Sequence, residues 1–242
     1  MTEPAIRSRR DRVRAATEEE IRATARALLV AEGPEAMTLR AIARDMGMTA
    51  PALYRYVESH RVLVALVTVD CYDELISVMT GARDQRPSDD LAGRLMAVSR
   101  AFRRWALEHP REFGLVFTNP MTHLLTQSED VVEAAAQRFG LVFGELFASV
   151  LSRYGTRLPE RGEIPPAYVA ELEAVDPEKV AGMPLGARYL FLSAWVRLYG
   201  CVCMEVFGHL AWAVQDTEPV FEEALRDCAT LIGIADEYER SR

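Results

Sequence analysis

The chain has little of what usually marks a specialised chemistry. Of its 28 basic residues only Lys179 is a lysine, and all the others are arginines. Cysteine occurs four times, at Cys71, Cys201, Cys203 and Cys228, with no C-x-x-C pair and no zinc-ligand spacing. All four sit in apolar helical patterns, as buried reduced thiols do. The histidines His60, His109, His123 and His209 fall in separate elements. None belongs to the Glu-x-x-His pair that a di-iron bundle needs. There is no G-x-S-x-G, no phosphate-binding P-loop and no G-x-G-x-x-G. An enzyme therefore has no constellation to rest on, and neither a metal nor a cofactor is expected.

The first residues carry no apolar run of signal-peptide length, so a cytoplasmic location is expected. Residues 189–214 are apolar enough to raise the membrane question. They include Arg197, Glu205 and His209, which are costly at a bilayer centre. The stretch is expected to be a buried helix, with no membrane as partner.

What is present is a globular balance: 242 residues, 50% hydrophobic and 26% charged. That length allows one or two domains and a core built without disulfides. The net charge of −8 is unevenly spread. Residues 1–61 hold 11 arginines against 9 acids, and the rest holds 17 bases against 27 acids. Arg7, Arg9, Arg10, Arg12 and Arg14 surround a single acid, Asp11. A basic arm before a small helical unit can contact phosphates or a minor groove. The acidic remainder disfavours DNA binding over the whole surface.

Apolar residues recur at helical spacing almost throughout. A first helix is expected from near Thr17, which forms a capping-box pattern with Glu20. It carries Ile21, Ala25, Leu28 and Leu29 on one face and ends at Gly33-Pro34. Thr38 can cap a second helix through Leu39, Ile42, Ala43 and Met46, stopped at Gly47. Thr49 can cap a third, with Pro51 in its first turn. Ser59 begins a long fourth. Two helices of about nine residues around a glycine turn make a helix-turn-helix. Leu39, Ile42, Met48 and Leu53 supply its apolar seam. Thr49, Ala50, Ala52, Tyr54, Arg55 and Tyr56 are left on the exposed face, where they can donate, accept or touch a thymine methyl.

The run from Thr38 through Met46-Gly47-Met48-Thr49-Ala50-Pro51-Ala52-Leu53-Tyr54-Arg55-Tyr56-Val57 to His60 resembles the DNA-binding head of TetR-type transcriptional regulators, over residues 17–70. The resemblance implies that the third helix reads DNA. Tyr54 would hold a phosphate, and Arg40, Ala50, Pro51, Ala52 and Arg55 would lie near base edges. Thr38 and Thr49 would cap their helices and offer hydroxyls to phosphates. The family often has a lysine where His60 stands, so either His60 or Arg61 would supply that contact. Val57 replaces the usual phenylalanine.

Helices are expected over residues 91–108 and from Ser128 to Gly155, with a short segment at 111–117 and a turn at Thr118-Asn119-Pro120. Residues 156–184 hold five prolines, Pro159, Pro165, Pro166, Pro177 and Pro184, and six acids against three bases. They form a connection with a short helix at 167–173. An apolar helix over 185–214 and a last one over 218–237 complete the chain. Residues 108–117, with Trp195 and Tyr199-Gly200, resemble a C-terminal subgroup named for a Trp-His-Gly signature, with Tyr199 in the histidine position.

The expected fold is therefore all-α: a three-helix helix-turn-helix head and a larger ligand-binding and dimerisation bundle. Residues 1–16 would be a mobile basic arm, 17–62 the DNA-binding domain and 63–242 the sensing and dimerising domain. Phe102, Trp105, Phe113, Phe117, Phe139, Phe143, Trp195 and Tyr199 are candidate linings of an effector pocket. Arg103, Asn119, His123, Arg188, Arg197 and Glu205 are its candidate polar groups. The expected partners are a double-stranded operator, a second copy paired through the last two long helices, and a small-molecule effector. The expected function is a ligand-responsive repressor. A helical carrier without operator binding is the alternative, and a helical-bundle enzyme a weaker one.

Overall fold

The structure is a computed structural model that describes residues 8–117, 129–175 and 182–241. Their regular structure is helical: α1 (Arg9–Glu32), α2 (Leu39–Asp45), α3 (Ala50–Leu53), α4 (His60–Asp84), α5 (Leu91–Glu108), α6 (Pro110–Phe117), α7 (Glu129–Tyr154), α8 (Pro166–Ala174), α9 (Leu185–Val206), α10 (Glu218–Leu231) and α11 (Ala235–Ser241). The chain divides into two compact units. One comprises residues 1–74 and 109–137, the other 75–108 and 138–242.

In the first unit α1 packs against α2 and α6, and α2 against α3. Ile21, Ala25, Leu28 and Leu29 of α1 are buried, as the spacing predicts, together with Ile42, Ala43, Leu53, Val57 and Leu63. Burying each large aliphatic side chain contributes about 1.5–3 kcal/mol. Arg26 ties α1 to two neighbours: it bonds Glu74 of α4, and its Nε donates to Glu112 of α6 at 3.2 Å. Glu112 is itself buried. Arg22 adds a 2.6 Å pair with Asp70.

Helix α1 starts two turns before the expected Thr17. Ser8 is its N-cap: the Asp11 N–H donates to Ser8 Oγ, and Ser8 N–H returns a bond to the Asp11 carboxylate. Ser8 and Asp11 thus form a capping box upstream of the expected one, which the sequence reading did not identify. Thr17 lies inside the helix, its hydroxyl donating to the Val13 carbonyl.

The second unit packs α9 against α5, α8 and α10, and α11 against α5 and α10. Arg100 of α5 forks onto Glu222 of α10 at 2.7 and 2.8 Å. The buried Tyr238 of α11 donates its hydroxyl to the same carboxylate at 2.8 Å. The last helix predicted over 218–237 is broken into α10 and α11. Thr156 donates to the Ile232 carbonyl at the break, 2.7 Å away, and so satisfies a backbone group the break leaves open. Helix α9 ends at Val206, short of the expected 214, and a run of turns follows. Two helices, 130–154 and α9, are long and apolar enough to cross a membrane by length and composition alone. α9 has buried residues against its neighbours here. Ser128 and the turn at 118–120 lie outside the described residues.

The described part of the 156–184 connection packs on this unit. Ile164, Val169 and Leu172 are buried, and Arg188 of α9 donates to the carbonyls of Met183 and Leu172. Gly186 lets α9 approach it closely: a Cβ there would lie 2.5 Å from the Pro159 carbonyl oxygen and 3.1 Å from Leu158 Cβ. Gly186→Ala is therefore expected to lower stability by about 1–3 kcal/mol in denaturant unfolding. Gly81→Ala in α4, where an added Cβ meets nothing within 4 Å, is expected to be neutral or stabilising by about 0.5–1 kcal/mol.

Candidate DNA interface and an apolar cavity

The helix-turn-helix is built by short elements that hold one another. Thr38 caps α2, its hydroxyl accepting from the Ala41 N–H at 3.2 Å. Gly47 follows α2 with φ 64°, a left-handed conformation that a side chain would oppose. The Met48 N–H then reaches the Ala43 carbonyl at 2.8 Å, closing the helix end with a six-to-one bond. Thr49 occupies the N-cap position of α3, but its side chain makes no capping bond. The expected cap is thus absent at Thr49, and its hydroxyl is exposed. Helix α3 spans only four residues, with hydrogen-bonded turns carrying it on to Val57. Both helices are shorter than the nine residues expected, because the turns at their ends take up the remainder.

Leu53 and Val57 anchor α3 inward. Outward lie Thr49, Pro51, Tyr54 and Arg55, all exposed, with Ala50, Ala52 and Tyr56 half-buried. Tyr54 is 54% exposed, too open for a core tyrosine. Thr38, Arg40 and Arg61 are exposed as well. His60 is half-buried, and its Nε2 donates to the Met37 carbonyl at 2.6 Å. That nitrogen fastens the start of α4 to the turn before α2. Ser59 caps α4 as expected, accepting from the Val62 N–H at 3.2 Å.

The aromatic candidates divide between the units. Phe102, Phe139, Phe143 and Trp195 form one cluster with ring centroids 5.5 to 6.1 Å apart, and Tyr199 stacks on Trp195 at 5.4 Å. Trp105 is fully buried. Phe113 and Phe117 belong to the first unit, where Phe117 packs on Phe113 and Tyr72. Sequence spacing puts them on a helical face but does not say which core that face joins.

Beside the cluster is a cavity of about 50 Å³ between α5, α7, α9 and α10. Phe143 and Trp195 line it, with Leu95, Met96 and Ser99 of α5, Phe147 of α7, Phe191 and Leu198 of α9, and Leu225, Cys228 and Ile232 near α10. Phe147 and Phe191 were missed although each lies four residues from a candidate on the same helix face. The α10 residues had no signal in the sequence beyond their apolar spacing. The polar lining is already bonded: Ser99 donates to the Leu95 carbonyl and Cys228 to that of Ala194. Burial pushes the Cys228 thiol up to about 11 and Cys71 up to about 12, so neither is a ready nucleophile.

The candidate polar groups are used elsewhere. Glu205 is buried and holds Arg103 at 2.8 Å and the Thr217 hydroxyl at 2.7 Å, and the Arg103 guanidinium lies over Phe221. Arg197 donates to Ser193 on its own helix, and Arg188 holds the connection. Asn119 and His123 lie outside the described residues.

A glycine-turn helix pair with an arginine- and tyrosine-bearing outer face is the architecture of a helix-turn-helix regulator. The comparisons make this specific. Residues 21–66 match the family described as "Bacterial regulatory proteins, tetR family", and residues 95–228 match "Tetracyclin repressor-like, C-terminal domain". The HTH-type transcriptional regulators Rv1816 of Mycobacterium tuberculosis and Mb1846 of Mycobacterium bovis are each 30% identical over 202 residues, covering 82% of this chain and 84% of their own. The crystal structure of SCO4313 superposes with a TM-score of 0.71 at 25% identity, covering 92% of this chain and all of that one. A protein of unknown function from Rhodococcus sp. RHA1 shares the fold, with a TM-score of 0.64 at 16% identity over 95% of this chain and 97% of its own. The chain belongs to the TetR family of transcriptional regulators, DNA-binding proteins of the helix-turn-helix class.

The His60 bond has a measurable consequence. His60→Ala leaves the Met37 carbonyl without its side-chain donor and is expected to cost about 1 kcal/mol of stability in thermal or denaturant unfolding. Arg61→Ala, at an exposed position, is expected to stay within about 0.5 kcal/mol of the parent.

Proposed function

We propose that the protein is a dimeric repressor that leaves a palindromic operator when a small, mostly apolar molecule binds its second unit. The observation that carries this is the outer face of α3, where Tyr54 and Arg55 stand exposed above the buried Leu53 and Val57. Tyr54 would donate to a phosphate and fix the register. Arg55, Arg40 and the small residues Ala50, Pro51 and Ala52 would meet base edges. Thr38 and Thr49 would donate their hydroxyls to the backbone, and Arg61 would take the phosphate at the start of α4. Residues 17–62 would thus serve the operator, and 63–242 the effector and the partner copy.

Pairing is needed because one four-residue helix reads too few bases. Two copies place two such helices on half-sites about one helical turn apart. The surface of α9 favours a partner: Val196 is 58% exposed, Gly200, Cys203 and Phe207 continue its face at helical spacing, and Trp212 in the turns beyond is 87% exposed. Apolar side chains in such a run are stabilised when a second copy covers them. A regulator of this kind would work in the cytoplasm, where the DNA is, with no catalytic step.

The cavity is much smaller than the few hundred Å³ a typical ligand site offers, so an effector would enter by widening it. The widened state would have a different spacing of the two heads. A ligand that binds only that state shifts the population away from DNA by its differential affinity. The lining being apolar and its polar groups bonded, the effector would be apolar too.

The test is fluorescence anisotropy on duplex DNA from upstream of the protein's own gene against a shuffled duplex, across a salt series. Two protomers per specific site, with affinity falling as salt rises, are expected. Tyr54→Ala is expected to weaken binding to all sequences alike. Arg55→Ala is expected to relax preference at one operator position by about 1–3 kcal/mol, read from binding to single-base variants. An unchanged preference profile would remove Arg55 from base reading.

A further inference from the structure

The first two turns of α1 and the turn after α3 meet across an open cleft of about 470 Å³, lined by Arg9, Arg10, Val13, Arg14, Arg55 and Tyr56. More than forty residues separate its two walls in sequence, yet both belong to the first unit. Four of the six lining residues carry a guanidinium and none a carboxylate. Asp11, the nearest acid in sequence, is turned to the N-cap, where it bonds Ser8. Arg9, Arg10 and Arg55 make no ion pair among the described residues. Arg14 pairs with Glu18 at the surface, and its guanidinium lies over the Tyr56 ring, 5.9 Å from the centroid. That contact fastens one wall to the other.

Four like charges around one concavity repel one another, and nothing in the described protein neutralises three of them. Folding does not need them, since Arg9, Arg10 and Arg55 are exposed. A polyanion would offset the repulsion, and guanidinium forks match phosphate oxygens two at a time. The rise from Arg9 to Arg14 is about 7.5 Å along the helix, the axial span of about two phosphates on one DNA strand. Arg55 belongs both to the cleft and to the outer face of the helix-turn-helix, so the two surfaces are continuous.

We propose that this cleft is a second DNA-binding surface, in which Arg9, Arg10 and Arg14 hold backbone phosphates flanking the bases that α3 meets. It lengthens the footprint of each protomer without adding base readout. The proposal rests on the operator reading above and goes beyond it, because none of these α1 residues belongs to the helix-turn-helix.

The experiment uses the full-length protein and a duplex that it selects from a randomised library. Affinity is measured by anisotropy on a short form of that duplex and on one extended by about 10 base pairs at each end, across a salt series. The wild-type protein is expected to bind the extended form at least tenfold more tightly. Arg9→Ala/Arg10→Ala is expected to lose that gain and to have a salt slope lower by about 4 per dimer, for two lost phosphate contacts in each protomer. Arg9→Lys/Arg10→Lys should keep most of both, and base preference should not change in either variant. Circular dichroism checks that the variants keep their helices. If the wild type selects a duplex but the alanine variant matches it in length dependence and slope, the cleft is not a DNA surface. Binding to polyglutamate that the alanine variant loses, with DNA binding intact, would likewise overturn the proposal in favour of an acidic polypeptide. A wild-type protein that selects no duplex at all would instead overturn the operator reading itself, and this proposal with it.

Discussion

A helix of four residues cannot hold itself together, and the surface proposed to face DNA depends on that limit being overcome. Nucleating a helix costs more than a single turn returns, so α3 has no stability of its own. It exists because Leu53 and Val57 are buried and α3 packs on α2, which packs in turn on α1. The Gly47 turn fixes the angle at which α3 enters, and the His60 bond to Met37 fixes where α4 leaves. What faces outward is what remains after that burial: hydroxyls, small residues, Tyr54 and Arg55. The candidate interface is a by-product of how the head packs, and its accuracy would be that of the packing.

Charge is used in three ways. Many arginines sit in exposed pairs such as Arg14–Glu18, worth at most about 1 kcal/mol each. A few are placed where removal of one partner would strand a buried charge. Glu112 beneath Arg26, and Glu205 held by Arg103 and Thr217, are of this kind, and each fastens one helix to another. The third group, Arg9 and Arg10 at the start of α1 and Arg55 in the turn after α3, makes no ion pair among the described residues. In an acidic chain, arginines left unpaired on one small unit would confine the proposed attraction for DNA to that unit.

The second unit combines tight packing with one loosely filled place. The aromatic cluster of α5, α7 and α9 and the Arg100–Glu222–Tyr238 network fix most of its helices to one another. The small cavity beside Phe143 and Trp195 is where apolar contacts are missing. An apolar guest could replace those contacts there at the least cost to the protein's own.

Much of this protein was determined by sequence periodicity and short motifs. The order of the helices, the bounds of α5, the glycine turn, the caps at Thr38 and Ser59 and the family resemblance all follow from residues within a few positions of one another. Local rules suffice there because capping and helical periodicity act over a turn or two. Tertiary structure decided what depends on distant partners. It started α1 at Ser8 instead of Thr17, broke the last helix where Thr156 reaches Ile232, and left the Thr49 hydroxyl without a capping bond. It sent Phe113 and Phe117 to one core and Phe102, Phe143 and Trp195 to another, and it turned Arg103, Glu205 and Arg188 to structural bonds. It also brought Arg9 and Arg10 to Arg55 across more than forty residues. A helical face announces that it will be buried, but which neighbour buries it depends on the packing of the whole unit.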